Sequence, residues 1–254
     1  MKTLLQASNI KASLFQLTLP VAVYLAWQAD AGLLWWVASA VMFAFVYVII
    51  GNNIGFHRYF AHSQFTVSKP VQWLFAWAGS MIGFGDPISY SMTHLVHHKY
   101  PDSTLDPHGP ARGLKSVLIM FQKTVNPAET PLFSRRIVQL NRQFEWLYRY
   151  YIPFILLNVL LLWLIDYKIM LFLWWLPACL ANWYIAWAVI RQHWNMQAHN
   201  SKWNRWEFTH ESLHLNHHLW AGAPNNAINP GEIDYTYQFS KLFRPIYDWR
   251  GQPK

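Results

Sequence analysis

The chain has 254 residues, 54% of them hydrophobic and 13% charged, about half the ~25% charged share of a typical soluble domain. The formal charge of +8 would suit nucleic-acid binding, but the basic residues are spread among aromatic and apolar runs. Loops rich in Lys and Arg beside a membrane explain this charge more simply. The single cysteine, Cys179, excludes an internal disulfide. With no repeat or linker in view, the sequence predicts one domain over residues 1–254, in a membrane protein without a nucleic-acid partner.

Four apolar segments are candidate membrane-spanning helices, because a span needs about 20 mostly apolar residues. They form two antiparallel pairs, each joined by a short polar turn. The segments are 14–27, 33–50, 152–165 and 169–190. A further apolar segment, 71–84, is short and contains Gln and Gly, which is typical of an interfacial or re-entrant helix.

Charge predicts the topology of these four spans. If all four cross the membrane, every Lys and Arg except Lys168 lies on one side, together with all 12 histidines. The positive-inside rule makes that side the cytoplasm. The histidines would therefore lie outside the bilayer, in a cytoplasmic cap.

Three short clusters contain eight of the 12 histidines. Imidazole can ligate a metal near neutral pH without first losing a proton. Because one ion rarely takes more than six ligands, eight histidines predict more than one ion, and iron, copper or zinc would suit them. The clusters are His57 and His62; His94, His97 and His98; and His214, His217 and His218.

The spacing within the clusters also predicts two ions. On a helix, His94 faces the same way as His97 and His98, but the latter two diverge by about 100° and could serve different ions. The third cluster repeats this HxxHH geometry. His57 and His62 are five residues apart, so they would also reach separate ions unless the helix distorts there.

The order HxxxxH, HxxHH, HxxHH resembles that of the membrane fatty-acid desaturases, especially the stearoyl-CoA and bacterial Δ9 type. The flanking residues are similar as well. Gly-Phe-His-Arg-Tyr-Phe-Ala-His at 55–62 resembles the first box, and Asp-Pro-His at 106–108 follows the second. Asn-Met-Gln-Ala-His at 195–199 resembles the family's Asn-Ser-x-x-His, and Glu211 precedes the third box as in the family.

The resemblance implies an all-α integral membrane protein with four transmembrane helices and a cytoplasmic helical cap that holds two iron ions (Fe2+). It implies Asn195 as a ligand through water, no catalytic residue beyond the metal ligands, and Asp106 as a hydrogen-bond partner to a ligand. His108 would be structural, and His193 and His210 interfacial or at the surface. The implied iron ligands are His57, His62, His94, His97, His98, His199, His214, His217 and His218.

The implied activity is an O2-dependent desaturation that places a cis double bond in a fatty acyl chain, with Δ9 as the position that the family type implies. Tyr90, Thr93 and Leu95 stand where the family usually has Trp, Asp and Arg, in a stretch that helps to hold coenzyme A in animal members. The acyl chain could therefore be linked to CoA, a lipid or a carrier protein. A narrow apolar tunnel among the spans would hold it bent, with Phe56, Phe60 and Trp187 as candidate lining residues, although ordinary lipid-facing packing is the better explanation for each of these.

Two electrons must come from a separate donor such as ferredoxin, rubredoxin or cytochrome b5, with its reductase. Basic residues could dock an acidic donor, or could simply contact the headgroups of membrane lipids. The chain length favours a bacterial inner membrane over the endoplasmic reticulum. The candidate docking residues are Lys99, Arg112, Lys115, Arg135 and Arg136.

Two other interpretations compete with desaturation. A hydroxylase, ketolase or acetylenase on the same di-iron scaffold is the nearest, although the spacing of the first box favours a desaturase. A metal transporter would place ionisable ligands within its spans. Here the spans contain almost none, and the histidines lie outside them.

Overall fold

The structure is a computed structural model that describes residues 13–107 and 141–247. This part of the chain is mainly helical, as predicted. The principal helices, in chain order, are α1 (Ser13–Gln28), α2 (Leu33–Ala61), α3 (Lys69–Ser80), α4 (Pro87–Lys99), α5 (Glu145–Arg149), α6 (Tyr151–Ile165), α7 (Tyr167–Met196), α8 (His214–Leu219) and α9 (Tyr235–Ser240).

Two helices are long and apolar enough to cross a membrane, namely α2 with 29 residues and α7 with 30. A third span is possible if Arg142–Arg149 and α6 count as one helix bent by 78°. The remaining candidate, α1, is apolar but shorter. The prediction of four transmembrane helices is therefore supported for two or three spans and not confirmed for the fourth.

Helix α6 shows the surface expected next to lipid. Leu157, Leu161 and Leu164 are 55%, 52% and 65% exposed. Such a contiguous apolar surface is unfavourable in water and marks a membrane or protein contact. Together with the apolar helices, it associates the protein with a membrane.

Helix α2 lies at the centre of the fold, where it packs against α3, α4 and α7. Its contact with α3 depends on glycine. A Cβ atom on Gly51 would lie 2.7 Å from the carbonyl carbon of Ala78, and one on Gly79 would lie 2.3 Å from the ring of Phe56. This close approach fixes the end of α2, on which the first histidine box lies. Segment 71–84, predicted to be interfacial or re-entrant, forms the short helix α3 and the turn after it.

The segment after the first box is joined to the C-terminal region by a short antiparallel ladder. β1 (Phe65–Thr66) pairs with β2 (Ile246–Tyr247), with Phe65 opposite Tyr247. The helical cap between α7 and β2 therefore closes over the end of α2. This closure brings the three histidine boxes together.

Candidate metal centre

Nine histidines converge into two groups. Within each group, one ring nitrogen from every residue lies within 4.8 Å of the others. The five-histidine group contains His57, His62, His94, His98 and His217, and the four-histidine group contains His97, His193, His214 and His218.

The distances between these nitrogens fit metal binding. In the five-histidine group, Nε2 of His57 lies 2.9 Å from Nε2 of His217, and Nε2 of His98 lies 3.0 Å from that of His94. In the four-histidine group, Nε2 of His193 lies 2.8 Å from Nε2 of His214. Imidazole nitrogens bound at about 2.0–2.1 Å to one ion, at right angles to each other, lie about 2.9 Å apart. Each group therefore fits one ion.

The second and third boxes each serve both groups, with opposite assignments. On α4, His94 and His98 belong to the five-histidine group, while His97 belongs to the four-histidine group. On α8, His214 and His218 belong to the four-histidine group and His217 to the five-histidine group. The i, i+4 pair shares an ion site because it shares a helix face, and the i+3 residue turns towards the other site.

The first box stays in one group because its helix is wider than an α-helix. From Met42 to Ala61, α2 is a π-helix, in which residues i and i+5 are joined by hydrogen bonds. The backbone N–H of His62 accordingly donates to the carbonyl of His57 at 3.1 Å. Both side chains then face the same group. Of the two possibilities open at the first box, separate ions or a distorted helix, the structure shows the distorted helix.

The structure places His193, and not His199, with the other histidines. His193 is fully buried at the C-terminal end of α7, whereas His199 is exposed, and its Nε2 atom lies 2.7 Å from the carbonyl oxygen of Trp194. Asn195, predicted to bind through water, is also exposed and lies in the left-handed backbone region at φ 58°. The structure therefore brings together eight of the nine predicted histidine ligands, and His193 lies with them where His199 was expected. The cause is local, because the turn after Gln192 directs the motif 195–199 towards solvent.

Two aspartates support the four-histidine group from behind. Both carboxylate oxygens of Asp106 lie 2.9 Å from Nδ1 of His97, and those of Asp102 lie 3.0 and 3.1 Å from Nδ1 of His193. Such partners fix the tautomer and orientation of a ligand and make it more basic. The predicted contact of Asp106 with a ligand is present, whereas Asp102 was not anticipated. His108 lies outside the described residues.

The five-histidine group has a different support. Oε1 of Glu211 lies 3.5 Å from Nδ1 of His57, and both Glu211 oxygens accept from Arg58, at 2.8 and 2.5 Å. The same guanidinium donates to both oxygens of Asp234 at 2.9 Å and to the carbonyl of Pro224 at 2.8 Å. Arg58 is only 1% exposed, so this network ties the first box firmly to the C-terminal cap.

The electrostatics of both groups favour neutral imidazole, the form that binds metal. Burial lowers the pKa of each of six histidines below its usual value, and neighbouring histidines lower it further. These are His62, His94, His98, His214, His217 and His218. Burial also raises the pKa of Glu211, but Arg58 and His57 outweigh this effect and hold it below its usual range.

A cavity of about 50 Å3 touches both groups, with His57 and His94 on one side and His97 and His214 on the other. A reacting carbon in this cavity would be accessible to both ion sites. Of the proposed tunnel residues, none lines this cavity; Phe56 and Phe60 are buried in packing, and Trp187 is exposed. The other wall residues are Val48, Asn52, Asn53, Tyr90, Tyr184, Ile185, Ala188, Val189, Gln192, His210 and Glu211.

Two histidines thought to be interfacial or at the surface are buried. His193 is 0% and His210 5% exposed. A lone histidine has no spacing signal, so neither could be identified as functional from pattern alone. The one signal in the sequence for His193 was its position just after the apolar segment 169–190.

Comparison with known proteins gives a consistent set of matches. A family model described as fatty acid desaturase matches residues 34–229. Delta-9 acyl-lipid desaturase 2 of Arabidopsis thaliana is 27% identical over 225 residues, which cover 82% of this chain and 73% of that protein. Delta-9 acyl-lipid desaturase 1 of the same plant is 27% identical over 78% of this chain and 68% of its own length. Acyl-CoA C20 Delta5-desaturase of Anemone leveillei is 38% identical over 80 residues, or 31% of this chain and 26% of that protein.

Proposed function

Because the chain belongs to the fatty acid desaturase family, and is thus an oxidoreductase of the fatty acyl desaturase type, we propose that it uses O2 and two iron ions to place a cis double bond in a fatty acyl chain. The single observation that carries the proposal is the pair of histidine groups around one cavity. We propose Δ9 as the position, which rests on the names of the two Arabidopsis relatives.

The proposed iron ligands are the five-histidine and four-histidine groups, with His193 in place of His199 and no role for Asn195. Bound iron would supply the oxidising power to remove two hydrogens from unactivated carbons, which no amino-acid side chain has. The chain's own residues hold the ligands neutral, orient them and enclose the reacting carbons. Three carboxylates orient ligands through their Nδ1 atoms. Asp102 orients His193, and Asp106 orients His97. Glu211 orients His57.

The apolar stretch of α7 along the cavity suits an acyl chain. Ile185, Ala188 and Val189 line the cavity from this helix. We propose that the acyl chain enters along these side chains, linked to CoA, a lipid or a carrier protein. Closure around an apolar chain also excludes water from the oxidising site.

The electrons come, in this proposal, from a separate ferredoxin, rubredoxin or cytochrome b5 with its reductase, on the cytoplasmic side of the membrane. Lys99 is exposed and directly follows His98 at the end of α4, so a donor docked there would lie near the five-histidine group. The other candidate docking residues, Arg112, Lys115, Arg135 and Arg136, lie outside the described residues.

The test is a fatty-acid profile of cells that express the wild type or His97→Ala, grown with oxygen and a co-expressed reductase, with double bonds located chemically. A new cis-monoene that disappears in the variant supports the proposal. A hydroxylated, keto or acetylenic product would instead show a hydroxylase, ketolase or acetylenase on the same scaffold and would contradict the proposed desaturation. Iron analysis of the purified protein tests the metal separately, with two ions per chain expected.

A further inference from the structure

His210 lies in the wall between two cavities. It lines the inner cavity beside the histidine groups and also an outer cavity of about 230 Å3. Within residues 13–107 and 141–247, the only other residue common to both walls is Gln192. The outer cavity is bordered by exposed side chains, among them His199 and Lys202, and so communicates with solvent. Of the two shared residues, only His210 can take up and release a proton near neutral pH.

The contacts of His210 leave it available for this role. Its Nε2 atom lies 3.5 Å from Oε2 of Glu207, and its Nδ1 atom has no hydrogen-bond partner on another residue among those described, although the side chain is only 5% exposed. A buried polar atom without a partner is unfavourable and calls for an explanation such as a catalytic role or a bound water. The ring also lies against that of Tyr184, with 6.4 Å between the ring centroids.

Glu207 connects His210 to the solvent side. One of its oxygens pairs with Arg191, and the other, nearest to His210, has no hydrogen-bond partner in the described part of the chain. Burial lowers the pKa of His210 despite this carboxylate, so the ring is neutral at rest and releases a proton readily after taking one up. The charged and titratable groups that face His210 are Glu207, Arg191, Tyr184 and Glu211.

The proposed desaturation needs such a route. Reduction of one O2 to two waters takes four electrons and four protons. The acyl chain supplies two of each as two hydrogens, and the donor supplies two electrons, so two protons must come from solvent. The inner cavity, at about 50 Å3, has room for a few waters at roughly 10–15 Å3 each.

We propose that His210 carries protons from the outer cavity into the inner cavity, where they complete the reduction of O2 to water. In each cycle, Nε2 takes a proton on the Glu207 side and Nδ1 releases one to a water in the inner cavity. This leaves the neutral ring as its other tautomer, which resets by rotation about the Cβ–Cγ bond before the second of the two cycles that serve one turnover. This inference rests on the proposed desaturase function.

The test compares wild type, His210→Gln and His210→Ala as iron-loaded proteins in detergent with donor, reductase and acyl substrate. Glutamine keeps a polar side chain of similar reach but cannot pass a proton. We expect His210→Gln to retain two irons and the wild-type melting temperature and to lose about 100-fold in desaturation rate. The O2 consumed per double bond formed, which measures the coupling, should stay at the wild-type value, because release of hydrogen peroxide would need the same two solvent protons. We further expect added imidazole to restore activity to His210→Ala at least several-fold.

The matched control is His199→Ala, a histidine that lines only the outer cavity. It should keep the wild-type rate and show no response to imidazole. A wild-type rate in His210→Gln would overturn the proposal, as would a slow His210→Ala that imidazole does not rescue. If the wild type itself forms no double bond, the desaturase function fails, which is distinct from failure of the relay.

Discussion

The five-histidine and four-histidine groups share the helices α4 and α8, but the side chains behind them differ. Two carboxylates, Asp102 and Asp106, lie within 3.1 Å of ligand nitrogens in the four-histidine group. In the five-histidine group, the one carboxylate close to a ligand among the described residues is that of Glu211, at 3.5 Å, and its charge is already engaged by Arg58.

This difference indicates that the two ions would not be equivalent. The four-histidine group combines fewer ligands with more negative charge, which lies directly behind His97 and His193 and strengthens these two as ligands. The five-histidine group relies on the number of its ligands and on the rigid network around Arg58. Similar HxxHH boxes thus give two electrostatically different sites.

Of the changes that separate the two histidine groups, removal of His193 should have the largest effect on iron content and activity. His193→Ala leaves three histidines in the four-histidine group, so we expect about one iron per chain and no desaturation. His199→Ala is the matched control and should retain two irons. Metal analysis of the two purified variants decides whether His193 or His199 is the ligand. Loss of iron in His199→Ala alone would restore the ligand set expected from the sequence motif.

Replacement of Arg58 should have the next largest effect, which is a loss of stability. Arg58→Met leaves Glu211 and Asp234 buried without their cation, and breaking a buried ion pair from one side costs about 3–5 kcal/mol. We expect a clearly lower melting temperature in detergent. Arg149→Met removes an exposed pair with Glu145 and provides the control, with no measurable change. Equal melting temperatures would contradict a structural role for the buried network.

Substitution of Asp106 should affect one ion selectively. In Asp106→Asn, the hydrogen bond to His97 becomes neutral and weaker, and we expect metal affinity at the four-histidine group to fall about 10–100-fold. Stepwise titration of the metal-free protein with Co2+, followed by its absorption spectrum, measures this effect. A uniform loss at both sites would remove the distinction between the groups.

A smaller effect is expected from pH on the metal-free protein. The pKa values of six ligand histidines are lowered in the fold, so below the ordinary histidine pKa of about 6.5 the unfolded chain takes up protons that the folded chain does not. Stability is therefore present above this pH and is lost as the pH falls below it. Melting temperatures at pH 7.5 and 5.5 should show the decrease. A higher melting temperature at the lower pH would contradict the assigned burial.

Much of the metal centre could be predicted from the sequence because the HxxHH boxes encode their own geometry. The division of His97 from His98 between two ions follows from the angle between helix positions, and the structure separates them in this way. The resemblance also predicted the contact of Asp106 with a ligand. These features depend on residues close together in the chain.

The parts that could not be predicted depend on longer-range contacts. His193 reaches the four-histidine group because α7 ends against α8 and the loop of Asp102, a meeting that no local pattern specifies. The π-helical turn that unites His57 and His62 depends on close packing of α2 on α3. The apolar composition of α1 predicted a span, but in the structure this helix is shorter than the helices that are long enough to cross a membrane.

The network around Arg58 also constrains how the protein is made. Arg58 emerges early from the ribosome, whereas its partners at Glu211, Pro224 and Asp234 emerge more than 150 residues later. Helix α2 must therefore enter the membrane while its arginine and both of its box histidines still lack their final partners. Neither histidine group is complete before His217 has been synthesised. We expect metal insertion to follow translation, and the nascent chain to need protection from premature or incorrect metals until the C-terminal cap has closed.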